Sequence, residues 1–499
     1  MRNREDRAQV GSGLAPYLNA VAEGSDLDVR TPLFGGDDRL VVADKWRDIL
    51  EANSSQLLGR LKEIELDQYG KIGPMSIRLP FAQRMADVQA YFDYPDVNPP
   101  DVSAELNILG SGMHSRLRRL RPDAAVRRMV TNSNSGYPRF TRRSKVIPAE
   151  LSYATTGKWK SFPAILGWRG QSRGFDLNPK QRVVWMFPMS TNILEMSIFG
   201  PVQTWLAQMS FLSAWRGPYF VDRSVDRLLR SGMTIYSTDF SGFDQSVGPR
   251  ISELAFNLLR EIFSDSSRDL INELEWNFWN IGLICTKSVY LRGSHGVPSG
   301  SVFTNLIDSL VHRIAQMYCA RKMGPSLLPD CQVQGDDGLI GFNRGAMNLD
   351  SILDCYKEFG FESNIDKQFI GVRDCLYLQR YHHLAYNGGV YPTFRALNAL
   401  LGHERFYSEG WGPDMVILRS LMILENCKHH PLFIKFVKFA ASGDKFKLGL
   451  DWPGGMSSFL GSGVISKAKR VAGLIPSYNQ ERNVDGLAGF EVVKVLRSL

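Results

Sequence analysis

Residues 333–340, VQGDDGLI, place two adjacent carboxylates after a glycine and between short apolar segments. The wider stretch CQVQGDDGLIGF (331–342) is apolar, then polar, then apolar again, which predicts a β-hairpin with Asp336 and Asp337 at its bend. The same tripeptide occurs earlier in FGGDDRL (34–40), where Asp37 and Asp38 follow the Pro/Gly-rich connection TPLFGG. Glycine followed by aspartate is common in turns for conformational reasons alone, so the early pair reads as a turn. A rigid hairpin at a sheet end could do more with the later pair, provided that a partner carboxylate lies beside it.

That partner is in STDFSGFDQS (237–246). MTIYSTDF (233–240) has the β-branched, partly alternating character of a strand that ends at Asp239, and Asp244 follows five positions later. The next stretch, RISELAFNLLREIF (250–263), places Ile251, Leu254, Leu258, Leu259 and Ile262 on one helical face. Two adjacent strand ends carrying Asp239 and Asp336 would offer the hard oxygen ligands that magnesium takes. A pair of such ions about 3.5 to 4 Å apart is the usual requirement of nucleotidyl transfer. Between them in sequence, HGVPSGSVFTNLIDS (295–309) is a loop of small residues that runs into a predicted helix, SVFTNLIDSLVHRIAQMYCA (301–320), with Val302, Phe303, Leu306, Leu310, Ile314 and Met317 at helical spacing. Small residues allow a sugar-phosphate chain to come close, and hydroxyls and amides at a helix start bind its oxygens.

Composition limits what this constellation can belong to. The chain has 499 residues, 44% hydrophobic, ample for a large core. Six scattered cysteines without a C-x-x-C pair, behind a charged start that lacks a signal-peptide pattern, predict a reducing compartment and no structural zinc. No apolar run reaches the roughly 18 to 20 residues that span a bilayer, so no membrane span is expected. The net charge of +8 is concentrated: residues 116–145 carry ten basic side chains against Asp123, leaving the remainder near neutral. A field of that kind attracts polyanions, which points to nucleic acid. YPDVNPPDVS (94–103) reads as an exposed linker.

The order of these motifs, D-x4-D at Asp239 and Asp244, S-G-x3-T at Ser299, Gly300 and Thr304, and G-D-D at Gly335 to Asp337, resembles the palm of viral RNA-dependent RNA polymerases. The resemblance runs over roughly residues 130–381 and is nearest to the small double-stranded RNA viruses, the picobirnaviruses and partitiviruses. It implies an α+β right hand of fingers, palm and thumb with an antiparallel-sheet palm: an N-terminal extension and fingers over 1–190, palm over 191–254 and 291–381, a fingers or linking insertion over 255–290, and thumb and tail over 382–499. It further implies Asp239, Asp336 and Asp337 as metal ligands for two magnesium ions, with manganese able to substitute. NPKQRVVWMFP (178–188) is similar to the motif whose Lys180 and Arg182, helped by Arg173, contact the NTP triphosphate. Asp244, Ser299, Gly300, Thr304 and Asn305 are implied around its ribose. NSNSGYPRF (132–140) resembles a template loop, implying Ser135, Gly136, Pro138, Arg139, Arg142 and Arg143 as contacts to template RNA. Lys367 is implied as a general acid for departing pyrophosphate, and YLQRYHH (377–383) resembles the primer-grip hairpin.

The expected activity is therefore replication and transcription of a viral, double-stranded and segmented RNA genome. Single- and double-stranded RNA, NTPs and a viral capsid protein are the expected partners, within the virion and the host cytoplasm. Plus-strand virus polymerases usually place asparagine four residues after the threonine, where this chain has Asp308, so the ribose partner stays open. A DNA-making polymerase on the same palm is a second reading, but such enzymes usually carry a bulky aromatic where this chain has Asp244. A non-enzymatic RNA-binding protein is a third, against which stands the complete carboxylate set. Tyr478, in SYNQERN (477–483), is a possible priming tip without further support.

Overall fold

The computed structural model describes residues 11–111, 117–175, 178–324, 330–343, 349–363, 368–404, 411–471 and 486–499. One four-stranded sheet holds β1 (Ala164–Gln171), β2 (Lys180–Met186), β4 (Leu283–Ile284) and β5 (Tyr290–Leu291) in the order β2-β1-β4-β5. A second holds β3 (Thr234–Thr238), β6 (Gln332–Gln334), β7 (Asp337–Phe342) and β8 (Phe369–Gly371) in the order β6-β7-β3-β8, with every pairing antiparallel. A short hairpin, β9 (Asp374–Tyr377) and β10 (Arg380–His383), turns through Leu378 and Gln379, both at positive φ, the conformation that matches a two-residue turn to strand twist. Four helices frame the sheets at the site: α1 (Met189–Leu206), α2 (Pro249–Ile262), α3 (Thr304–Met323) and α4 (Thr393–Leu401).

The hairpin predicted at 331–342 forms as β6 and β7, with Gln334 opposite Asp337. Only Gly335 and Asp336 remain for the turn, and Gly335 takes φ +62°, a region glycine enters without steric cost. β3 pairs with β7 in a register that sets Thr238 opposite Gly338, so the strand end before Asp239 abuts the strand start at Asp337. Behind this sheet, Leu306, Leu310 and Ile314 of α3 and Leu258, Leu259 and Ile262 of α2 share a buried core with Tyr236, Val333 and Ile340. Each such aliphatic side chain contributes about 1.5 to 3 kcal/mol by leaving water. The helix expected from 301 begins at Thr304 instead. Ser301 Oγ accepts from Phe303 N, which draws residues 301–303 into the preceding loop.

The early Asp37–Asp38 pair is structural, as expected. Asp38 caps the helix Arg39–Ala52 by accepting from Leu40 N at 2.8 Å, and Asp37 pairs with Lys45. Residues 94–102 run without helix or strand.

Residues 11–100, where the sequence shows no motif, tie the C-terminal helices to the β1–β2 hairpin. Leu33, Val42, Trp46, Leu50 and Leu61 lie in one core with Phe394, Leu397, Ile417 and Phe436. Glu65 accepts from Thr393 N and Phe394 N, capping α4. Gly73 N donates to Asn398 Oδ1, while Ile77 O accepts from Gln181 of β2, so this segment straps the β1–β2 hairpin to α4. All six cysteines are buried thiols. Among the described residues no helix is long and apolar enough to cross a membrane.

Candidate active site

Asp239 follows β3 half-buried, and Asp336 stands exposed at the tip of the β6–β7 turn. The turn is held from behind by α3: Gly335 N donates to Ser309 Oγ at 2.9 Å, and Gly335 O lies 2.9 Å from His312 Nδ1. Burial holds the His312 imidazole to about 4, hence neutral, so its one N–H serves Gly335 O while Nε2 faces the Tyr356 hydroxyl. Thr238 Oγ1 donates to Asp336 O at 3.3 Å. Gly338 cannot be larger, since a Cβ there would lie 2.4 Å from the His312 ring.

The carboxylates repel one another. Burial, then Asp336 and Asp239, push Asp337 up to about 8. Desolvation also raises Asp336, with Arg182 opposing it. Crowded like charges with only oxygen donors suit a hard divalent cation, which removes the repulsion. Among the described residues no set of three or more Asp, Glu, His or Cys side chains is preassembled around one ion. Magnesium is commonly bound through one or two carboxylates, its shell completed by substrate phosphates and water.

The loop before α3 brings Ser299 to Asp244. Val297 N donates to Asp244 O at 2.7 Å, and Gly296 packs so tightly there that a Cβ would meet Asp244 O at 2.4 Å. Ser299 Oγ then donates to Asp244 Oδ2. Burial lifts Asp244 to about 6 against that hydrogen bond. Trp185 N donates to Ser299 O at 2.8 Å, pinning the loop to β2, and Gly300, at φ +139°, would carry a Cβ 1.9 Å from Trp185 O. Thr304 commits its hydroxyl proton to Pro298 O. Asn305 Oδ1 accepts from Trp215 Nε1 and Gln334 Nε2, bracing the β6–β7 hairpin from the side. Asp308 is buried, with Oδ1 lacking a hydrogen-bond partner, and desolvation raises its carboxyl well above the usual range.

Lys180 and Arg182 alternate on β2, so both project from one exposed face. Arg182 is close enough to lower Asp244, Asp336 and Asp337. Arg173 lies exposed on the β1–β2 connection, beyond both.

Comparison with known proteins places this geometry. The viral RNA-dependent RNA polymerase family profile matches residues 167–382. A protein of Human picobirnavirus, named a potential RNA-dependent RNA polymerase, is 33% identical over 97% of this chain and 96% of its own length. The chain belongs to the viral RNA-dependent RNA polymerases. The crystal structure of the RNA-dependent RNA polymerase of a human picobirnavirus superposes with a TM-score of 0.87, at 30% identity, over all of this chain and 99% of that one. An RNA-directed RNA polymerase of Cryptosporidium parvum virus 1 is 27% identical over 41% of each chain. The polymerase is thus a right hand whose palm is the antiparallel β6-β7-β3-β8 sheet.

The residues expected at a template loop divide into two kinds. Ser135, Gly136 and Pro138 are buried: Ser135 Oγ accepts from Thr141 N, and a Cβ on Gly136 would meet Phe187 O at 2.3 Å. They shape the loop rather than present atoms to a template. Arg139 leans on the Tyr153 hydroxyl at 3.2 Å, Arg142 is half-buried, and Arg143 turns inward to Asn134 O and Asn192 Oδ1. Arg118, Arg119, Arg121 and Arg127 remain exposed. Lys367, Tyr478 and Arg116 lie outside the described residues.

Sequence reasoning missed Ser309 and His312, which hold the Gly-Asp-Asp turn, and Tyr91, whose carbonyl accepts from Gly296 N at 2.7 Å. The signal for the first two was present: polar residues beside the apolar stripe of α3, where only hydrogen-bonded groups are tolerated.

Proposed function

We propose that the chain copies a viral double-stranded, segmented RNA genome, in replication and in transcription, by two-metal-ion transfer of NTPs. The observation that carries this is the junction of β3 and β7, which gathers Asp239, Asp336 and Asp337 opposite Arg182 and beside the Asp244–Ser299 pair. Asp239 and Asp336 would hold two magnesium ions, with Asp337 assisting, and manganese fits the same oxygens. When bound, such ions lower the barrier by activating the 3′-hydroxyl and neutralising the triphosphate. The chain's own groups do the positioning. Lys180 meets the triphosphate as a point charge and Arg182 as a fork, with Arg173 as the outermost helper. Asp244, already accepting from Ser299, keeps a second oxygen for the ribose 2′-hydroxyl, while Gly300, Thr304 and Asn305 keep the loop in place. Lys367 protonates the departing pyrophosphate.

The fingers and N-terminal extension take residues 1–190, the palm 191–254 and 291–381, the linking insertion 255–290, and the thumb and tail 382–499. Arg139, Arg142 and the surrounding exposed arginines line the template channel, on a loop that Ser135, Gly136, Pro138 and Arg143 shape. A capsid protein is the expected partner, inside the virion and in the host cytoplasm. The test is incorporation on a short single-stranded RNA with NTPs and magnesium, wild type against Asp336→Asn. Template-length product from wild type, at least about a thousandfold less from the variant, and equal template binding are expected, since binding draws on phosphate contacts rather than on the metal site. Equal activity of the two proteins would overturn the assignment.

A further inference from the structure

Glu195 of α1 is fully buried, and no step of nucleotide transfer uses it. Its Oε1 accepts from Ser301 Oγ at 2.6 Å; its Oε2 accepts from Val302 N at 2.8 Å and from Asn192 Nδ2 at 3.1 Å. Asn192 in turn accepts from Arg143 Nη2 at 2.6 Å, and its own amide reaches Gly300 O at 3.4 Å. Arg143 Nε donates to Asn134 O at 3.2 Å, and Asn134 Oδ1 accepts from Gly136 N at 2.8 Å. An unbroken run of hydrogen bonds therefore joins the template loop, through the first two turns of α1, to the residues directly after Ser299 and Gly300. We propose that Glu195, relayed by Asn192 and Arg143, is a positioning residue that fixes the sugar-reading loop and couples it to the template loop.

Stability alone does not account for a carboxylate at this place. A buried acid needs several partners to offset desolvation, and an aliphatic side chain of similar volume is commonly as stable or more so. Burial pushes the Glu195 carboxyl up to about 7 even with its donors in place. What a carboxylate does there, and an aliphatic side chain could not, is accept from two consecutive residues, the Ser301 hydroxyl and the Val302 amide. That fixes the backbone immediately beside Gly300, whose positive φ and close approach to β2 leave no room for a side chain. Glutamine in its place has only one acceptor oxygen, so its NH2 would face one of the two donors. The inference rests on the reading that Asp244 and Ser299 meet the ribose.

The test uses the full chain on a primed RNA template, comparing kcat/KM for an NTP and for its 2′-deoxy analogue, with Tm recorded for every variant. Glu195→Gln is expected to reduce NTP preference over 2′-dNTP about tenfold, the scale of one hydrogen bond to a charged group. Ser301→Ala, which removes one of the bonds Glu195 accepts together with the one Phe303 N donates to Ser301 Oγ, should move the ratio in the same direction, and it carries the test if Glu195→Gln does not fold. In the double variant Glu195→Gln/Arg143→Lys the loss should be smaller than the product of the single losses, because both act on one network. A lowered Tm with an unchanged ratio in both Glu195→Gln and Ser301→Ala would overturn the inference and leave Glu195 as packing. Multiplicative losses would overturn the coupling to the template loop. Ser299→Ala separates the two levels: if it leaves the ratio unchanged, the sugar-reading assignment itself fails. If it shifts the ratio while the Glu195 and Ser301 variants do not, only the positioning role fails.

Discussion

Arg182 answers for three carboxylates at once, lowering Asp244, Asp336 and Asp337 from an exposed position on β2. On the proposed reading an arginine there would give an incoming triphosphate a bidentate partner, which lysine does not reproduce. Arg182→Ala should therefore cut kcat/KM for NTPs by roughly 10- to 100-fold, and Arg182→Lys by less, with template affinity unchanged. Steady-state incorporation at varied NTP reads both, and an unchanged KM would contradict the assignment. His295 offers a residue-scale test by pH. It is buried against Trp185, with ring centroids 4.3 Å apart, and desolvation holds its imidazole to about 4. In the unfolded chain the ring takes its proton near 6.5, so between those values the unfolded state binds more protons and acidification favours unfolding. Glu150 and Glu195, both pushed up to about 7, act in the opposite sense, so the test must be differential. From pH 7 to 5, wild type should lose about 1 to 2 kcal/mol more than His295→Gln, read from urea midpoints.

Among the elements, the loop of residues 295–304 is defined by close approaches rather than by regular structure. Gly296 lies against Asp244 O, and Gly300 lies against Trp185 O at a φ that side chains rarely adopt. Gly300→Ala must push the loop off β2, at a cost of about 1 to 3 kcal/mol in stability. Its effect on incorporation should exceed that on folding, because Ser299 moves away from Asp244. A variant that keeps its Tm within a degree and its activity within twofold would show that this loop does not set the site. The β6–β7 hairpin behaves similarly: its turn is posted on Ser309 and His312 of α3, which fixes its position on that helix.

For the whole molecule, charge and closure matter. The exposed arginines of residues 118–127 carry much of the net positive field, and a single-stranded template loses about 0.7 in the slope of log K against log salt per phosphate contact removed. Arg118→Ala/Arg119→Ala should flatten the slope by about 1.4 and leave incorporation at saturating template unchanged. An unaltered slope would place the template elsewhere. Closure comes from the N-terminal segment, which shares a core with the C-terminal helices and ties the β1–β2 hairpin to α4 through Gly73 and Ile77.

The sequence by itself determined the β6–β7 hairpin, the strand before Asp239, helices α2 and α3 and the structural nature of Asp37–Asp38. Each follows from local rules: a glycine turn between apolar runs, helical spacing, a capping aspartate. The order of three motifs added the family. Tertiary structure alone decided which residues hold those motifs still. Glu195, His312 and Tyr91 act across separations of 23 to 205 residues, through hydrogen bonds that exist only once the segments pack. It also turned Ser135 and Arg143 inward, where the charge pattern suggested an open surface. The reason is physical: periodicity reports which face of an element leaves water, but the partner of a buried polar group is set by the neighbour that desolvates it, and no local spacing encodes that neighbour.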